Sequence, residues 1–293
     1  VPPTAPHSAR PLAAPAGPRR RTRPGARLRR CATAAASVAL VLGASAPALA
    51  AGPRPAHHFD RDYAGSTVPA HEGRGTGGPA RTLAVTQTLG NDVSGWQGNV
   101  AWSTAAANGA RFSYVKATEG TTYTNPYFAQ QYNGSYQAGL IRGAYHFALP
   151  DNSSGSAQAT WFVNHGGGWS ADGRTLPPAL DIEYNPYGAT CYGLSQSAMV
   201  SWIRSFSTTV HTRTGRYPTI YTTTNWWQQC TGNYSGFGAT NPLWIARYAS
   251  AVGTLPAGWS YQTIWQYADS GTLPGDQNRF NGAYDRLKAL ALG

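Results

Sequence analysis

Acidic side chains are scarce in this chain, 12 Asp and Glu against 23 Lys and Arg, and none of them lies in residues 1–50. Eight arginines do (Arg10, Arg19, Arg20, Arg21, Arg23, Arg27, Arg29 and Arg30), so the formal charge of +11 belongs largely to that stretch. From residue 51 onward 15 basic side chains face 12 acidic ones. So even a balance gives little field to hold a polyanion, and no nucleic-acid partner is expected. Long apolar runs are also missing. The best candidate, 32–42, is short, Ala-rich and followed by Gly43 and Pro47, whereas a bilayer span needs ~20 apolar residues. Cysteine occurs three times, with no Cys or His cluster of metal-ligand spacing and no catalytic Cys-His context. Neither a metal nor another cofactor is expected.

What is present divides the chain in three. Residues 1–50 have the parts of an export signal: an Arg-rich start, the apolar stretch, and the small-residue site Ala48-Leu49-Ala50. Cleavage after Ala50 and a secreted, extracellular product without stable membrane association are expected. Residues 51–87 are rich in Gly, Pro, Ala, His and Arg with few large apolar residues. Such a composition does not bury enough surface to offset ordering entropy, so a disordered pro-segment or linker is expected there, with His57, His58 and His71 as solvated tail histidines. Residues 88–293 are long enough for one sizeable core and read as a single catalytic domain. They hold all ten Trp and sixteen of the seventeen Tyr. Once Cys31 leaves with the signal, Cys191 and Cys230 form an even pair in an exported domain, where a disulfide is expected. No assembly motif is evident, and a monomer is assumed.

Within 88–293 short apolar runs alternate with helical patterns. Strands are predicted at 91–96, 112–117, 141–147, 178–183, 219–223, 243–246 and 263–267, with an eighth near Asp276. Helices are predicted at 102–108, 127–138, 155–164 and 195–214. In the last, Met199, Trp202, Ile203, Phe206 and Val210 recur at i+3 and i+4, with Ser195 to cap the start and Gly215 the end. Strands separated by helices predict an α/β fold with parallel pairing, and eight strands close a barrel. Beyond Gly215 Thr- and Trp-rich loops replace helices. The expected fold is therefore an irregular, flattened TIM-like β/α barrel.

Against the shortage of acids, Asp181-Ile182-Glu183 stands out at the end of the apolar run Leu176-Pro177-Pro178-Ala179-Leu180. Carboxylates at i and i+2 of a strand share a face, with Cα atoms ~6.7 Å apart. Held in one partly desolvated pocket they push each other's pKa values apart, which suits glycosidic bond cleavage. A solvated strand end is the plainer alternative. Barrel chemistry sits at the C-terminal strand ends, where Asp92, Glu119, Tyr145, His146, Tyr221, Trp265 and Asp276 also fall.

The ordered blocks Asp92-Val93-Ser94-Gly95-Trp96-Gln97-Gly98, Tyr114-Val115-Lys116-Ala117-Thr118-Glu119-Gly120, Arg142-Gly143-Ala144-Tyr145-His146-Phe147, Leu180-Asp181-Ile182-Glu183, Ile220-Tyr221-Thr222, Trp265-Gln266-Tyr267 and Asp276-Gln277-Asn278-Arg279-Phe280-Asn281-Gly282 resemble glycoside hydrolase family 25, the Chalaropsis-type lysozymes. The resemblance spans essentially all of 88–293. It implies hydrolysis of the β-1,4 bond between N-acetylmuramic acid and N-acetylglucosamine in peptidoglycan glycan strands, with Glu183 as the acid that protonates the leaving oxygen and Asp92, Asp181 and Asp276 as the other acids of the site. Some secreted actinobacterial-type members also accept 6-O-acetylated muramic acid.

Asp181 is open between nucleophile, base and orienting group for the substrate acetamido. Glu119 is either a sugar ligand or a structural partner of Lys116. His146 reads as a core histidine. Tyr145, Tyr221 and Trp265 are expected to stack on sugars, and Trp226-Trp227 to extend the cleft. Two rivals remain at this point. A chitinase-like enzyme would carry further Asp two and five positions before Asp181, where Ala179 and Leu176 stand instead. A decayed, purely glycan-binding barrel is disfavoured by the four intact acids.

Overall fold

Alternation along the strands builds the domain: one face of each strand fills a barrel interior and the other packs outward under helices. The computed structural model describes residues 57–74 and 86–293; the expected export signal lies outside the described residues. The strands are β1 Thr88–Val93, β2 Phe112–Glu119, β3 Tyr123–Thr124, β4 Ile141–Phe147, β5 Ala179–Asp181, β6 Thr219–Thr222, β7 Leu243–Ala246, β8 Ile264–Ala268 and β9 Asp276–Phe280. The helices are α1 Val68–Glu72, α2 Trp102–Ala107, α3 Phe128–Gln137, α4 Gly155–Asn164, α5 Gln196–Thr214, α6 Thr224–Thr231 and α7 Tyr284–Leu292.

The sheet runs β1-β9-β8-β7-β6-β5-β4-β2, with β3 as a short arm on β2, and a further β1–β2 pairing closes it into an eight-stranded barrel. Seven of these strands are mutually parallel where they meet, while β9 is antiparallel to both neighbours, β8 and β1. The barrel is thus mixed rather than wholly parallel, and the reversal has a consequence for the site. It brings the first residue of β9, Asp276, to the rim where the parallel strands end, opposite Asp92.

Inside, Phe112, Tyr114, Ile141, Tyr145, Ala179, Tyr221, Trp244 and Ile264 form one core with Leu287 and Ala291 of α7 and with Ala64 and Val68 from the segment before the barrel. Outside, Leu180, Ile182 and Ile220 pack against α4, α5 and α6 through Phe162, Met199, Ile203, Phe206, Trp226 and Trp227. Helix α5 begins at an N-cap, Ser195, whose hydroxyl accepts from the Ala198 N–H, and ends at Gly215 with φ 78°, a left-handed geometry that glycine adopts without steric cost. The Cys191–Cys230 disulfide, with Cα atoms 5.3 Å apart, ties the loop after β5 to α6. Its 39-residue separation corresponds to about 4 kcal/mol in the loop-entropy account.

Two expectations change here. The stretch around Trp226-Trp227 is a helix, and both indoles are fully buried in the outer core instead of lining a cleft. A Thr223 cap and the hydrophobic pair facing α5 decide that, neither of which stands out in a Thr- and Trp-rich sequence. The expectation of a structureless segment does not extend to 57–74: those residues include α1 and lie against the barrel, with Ala64 and Gly65 buried. Their few apolar groups use surface that the barrel supplies. His57 and His71 are accordingly in ring contact with Tyr187 and Tyr184 rather than free in solvent.

Candidate active site

Four carboxyls occupy the rim of the barrel. Asp92 ends in the interior because it lies on the inward face of β1, with Gly90 two residues before it. The Gln266 and Asn278 side-chain amides both donate to Asp92 Oδ2, at 2.9 and 2.6 Å. Asn278 is itself oriented by the Trp244 indole N–H, which donates to Asn278 Oδ1 at 2.7 Å. Burial pushes the Asp92 carboxyl up to about 7, opposed by those two amides. Asp276 faces Asp92 across the antiparallel pair, and burial together with the Asp92 charge lifts it well above the usual carboxylate range.

Asp181 closes β5 and Glu183 follows two residues on, both fully enclosed. Neither oxygen of Asp181 has a hydrogen-bond partner among the described residues. Burial, then the Glu183 charge, raise its pKa well above normal. For Glu183 burial pushes the pKa up to about 8, with hydrogen bonds from Thr67 and Gly65 pulling the other way. A carboxyl that keeps its proton at neutral pH is what a general acid requires.

A bulge sets the neighbouring ion pair. On a regular strand, residues i and i+3 face opposite ways, yet Lys116 and Glu119 of β2 meet at 2.6 Å with both side chains fully buried. The register against β4 slips between Lys116 and Thr118, so the extra residue turns Glu119 back to the interior. Burial drives Glu119 up to about 8, and the Lys116 charge opposes it. Of the two roles open to Glu119, the partnership with Lys116 is the one the geometry forms.

The aromatic expectations divide. Tyr145 and Tyr221 face the interior, their rings fully buried against Trp244 rather than open for stacking; the Tyr145 hydroxyl accepts from the Ala64 N–H at 3.3 Å, and the Tyr221 hydroxyl donates to Gln266 Oε1 at 2.7 Å. Trp265 does not join them. It sits among Leu243 and Ile245 on the outer face, its indole N–H donating to the Arg247 carbonyl at 2.8 Å. Strand period explains the correction: Gln266 is the inward residue at the end of β8, so its neighbour must point out. His146 is a core histidine, bonded to Thr118 and Gln158 at 2.7 and 2.9 Å, and burial lowers its pKa to about 3.

The sequence also passed over useful groups. Gln266, Asn278 and Tyr248 hold the acids, and two of these sit in the quoted blocks at even spacing from inward residues. The Tyr248 hydroxyl lies 3.0 Å from Gln266 Oε1 and 3.3 Å from Asp276 Oδ2. Nothing local marks Tyr248, which follows β7 in a loop. Among the described residues no group of three or more His, Cys, Asp or Glu side chains is arranged to hold a metal ion.

Comparison with known proteins agrees with this arrangement. The model of the family described as "Glycosyl hydrolases family 25" matches residues 91–276. Lysozyme M1 of Streptomyces globisporus is 45% identical over 266 residues, covering 87% of this chain and 90% of that protein. The N,O-diacetylmuramidase of Chalaropsis sp is 53% identical over 208 residues, covering 70% of this chain and 99% of its own length. Among solved structures, a muramidase from Acremonium alcalophilum superposes with a TM-score of 0.69 at 62% identity, covering 70% of this chain and 99% of that one. On the family match and these identities, the chain belongs to glycosyl hydrolase family 25.

Proposed function

We propose that the chain is a peptidoglycan muramidase, a lysozyme that cleaves the β-1,4 bond between N-acetylmuramic acid and N-acetylglucosamine, with Glu183 as general acid. The observation that carries the assignment is the gathering of four carboxyls at one rim of the barrel, Asp92 opposite Asp276 and Asp181 at the end of β5 with Glu183 two residues on. Names of relatives at 45–53% identity, a lysozyme and an N,O-diacetylmuramidase, support the substrate class.

In this scheme the protonated Glu183 delivers its proton to the glycosidic oxygen as the bond to the departing sugar lengthens. Asp181 faces the same space with both oxygens unpartnered, and as a carboxylate it accepts the N–H of the sugar's 2-acetamido group and turns the acetamido oxygen toward the anomeric carbon. Asp92, held by two amide donors, carries the local negative charge that steadies the oxocarbenium-like transition state. Asp276, pressed against Asp92, stays protonated. The name of the Chalaropsis relative supports activity on O-acetylated muramic acid as well.

The glycan strand is the partner, and the enzyme acts outside the cell as a monomer. Among the described residues no helix is long and apolar enough to cross a membrane. The test is clearing of bacterial walls by the enzyme beside Glu183→Gln, with reducing-end analysis of the released fragments. Muramic acid ends that vanish in the variant are expected. Ends in N-acetylglucosamine, or unchanged activity in the variant, overturn the assignment, and chitin degradation without wall lysis returns it to the chitinase reading.

A further inference from the structure

The Glu183 carboxyl is occupied by the chain's own residues from before the barrel. The Gly65 N–H donates to Glu183 Oε1 at 2.8 Å, and the Thr67 hydroxyl donates to Glu183 Oε2. The neighbouring residue is gripped as firmly: the Ala64 carbonyl accepts from the Gln266 amide at 2.8 Å, and the Ala64 N–H donates to Tyr145. Lys116, which lies beside Glu119, donates to the carbonyls of Phe59, at 3.1 Å, and of Asp62. Every one of these barrel groups belongs to the site described above.

The rest of the segment covers the cleft on both sides of Glu183. Toward its start, Phe59 stacks on Tyr123 with ring centres 5.2 Å apart, and His57 packs against Tyr187 at 4.1 Å. Toward its end, His71 lies flat on Tyr184 at 4.0 Å, and the Tyr184 hydroxyl donates to Glu72 at 2.8 Å. Aromatic faces beside a glycosidase acid are surfaces on which sugar rings stack, and here each bears a ring from the segment. Cavities remain at the two ends. One of about 500 Å³ borders Val68, Glu72 and Gly73, and another of about 250 Å³ borders His57 and Tyr187.

We propose that residues 57–73 are a built-in inhibitor that occupies the glycan-binding cleft of this chain and holds the enzyme inactive until the segment is displaced or removed. Four observations bear on a role in control over one in folding. The contacts fall on the catalytic acid and its supporting groups, and not on a face that lacks chemistry. The solved muramidase chain at 62% identity matches only 70% of this chain, about the length of 88–293, so a barrel of this family stands intact without such a segment. The match to Lysozyme M1 covers 87% of this chain and so reaches into the residues before β1. Both donors to Glu183 also favour its ionised form, the wrong state for delivering a proton.

Gly65 is the point where the contact is narrowest. Its φ of +95° suits glycine, and a Cβ there would meet the Tyr248 hydroxyl, Gln266 Oε1 and the Tyr221 hydroxyl, all closer than 3.0 Å. Gly65→Val therefore expels the segment without touching a barrel residue.

The proposal rests on the muramidase assignment, and its test separates the two. The chain from residue 51 is compared with Gly65→Val, with Thr67→Val, and with a version carrying an engineered protease site in 75–85, before and after cutting and removal of the released segment. Wall clearing about tenfold or more faster in Gly65→Val and in the cut protein is expected, with a smaller gain in Thr67→Val. Misfolding lowers activity, so a gain cannot arise from it. Equal rates in all forms, or a barrel that unfolds when the segment leaves, overturn the proposal. A synthetic peptide of residues 57–74 supplies a readout that does not depend on turnover: it is expected to bind the cut barrel, followed by tryptophan fluorescence, and failure to bind overturns the inhibitor. Turnover absent from every form while the peptide binds overturns the muramidase assignment alone.

Discussion

Asp92 and Asp276 face each other directly across the antiparallel β1–β9 pair, two carboxyls at one rung of a barrel that is otherwise almost all parallel. Opposed residues of such a ladder have Cα atoms ~4.5–5.5 Å apart, a spacing at which two buried negative charges repel strongly. The pair is sustained by unequal partners: Asp92 receives the Gln266 and Asn278 amides, whereas Asp276 has the Tyr248 hydroxyl at 3.3 Å. One carboxyl is equipped to carry charge and the other to keep its proton.

That inequality predicts an unusual dependence of stability on pH. Unfolded, these carboxyls titrate near ~4; folded, Asp92 does so at about 7 and Glu183 at about 8. Between those limits the folded chain binds more protons than the unfolded one, so stability falls as pH rises from ~4 to ~8. His146, lowered to about 3, works in the opposite sense below ~6.5, one group against several. The melting temperature of the full chain is expected to drop between pH 5 and pH 8, and to drop less in Asp92→Asn. A profile that rises with pH, the usual carboxylate behaviour, contradicts the prediction.

Removing the proton donor should act on turnover and little else. Glu183→Gln keeps the shape and an acceptor for Gly65 but has no titratable proton. Loss of a positioned general acid typically lowers the rate by about 10²–10⁴-fold. Measured on the form with the cleft uncovered, kcat should fall by that order while KM for soluble glycan fragments changes little.

The Lys116–Glu119 pair is a stability determinant that also anchors the covering segment. Lys116→Ala strands a fully buried Glu119 and removes the donor to Phe59 and Asp62. Breaking a buried pair from one side costs about 3–5 kcal/mol, whereas Lys116→Met with Glu119→Gln should cost less than either single change predicts. Urea denaturation of the two single variants and the double variant gives the coupling; strictly additive losses would mean the pair does not act as a unit.

Reduction of Cys191–Cys230 opens the tie between the loop after β5 and α6. A loss of about 4 kcal/mol is expected from the larger unfolded ensemble, seen as a lower denaturation midpoint in reductant or in the Cys191→Ala, Cys230→Ala double variant. An unchanged midpoint would show that the outer core alone fixes that loop.

Much of the scaffold is legible from local pattern. Predicted strands 141–147 and 243–246 coincide with β4 and β7, and α5 runs from its Ser195 cap to its Gly215 stop. These succeed because burial on one face writes its period into neighbouring residues. Local pattern does not mark helix α7, and the Thr- and Trp-rich stretch of α6 reads as loop. Strand position alone places Trp265 near the cleft without deciding which face it takes, a choice set by β7 and by the register against β9.

The sequence alone determined that two acids of Asp181-Ile182-Glu183 share a pocket, that strands and helices alternate, and that the aromatic groups concentrate after residue 87, because each follows from spacing along a few residues. Tertiary structure decided what spacing does not encode. The reversal of β9 brings Asp276 against Asp92, and the bulge in β2 turns Glu119 toward Lys116. The weakly apolar residues before the barrel come to rest on Glu183. A segment with too little apolar surface to fold by itself acquires a structure from the partners it meets, and some of them, Glu183 and Gln266 among them, lie more than a hundred residues away along the chain.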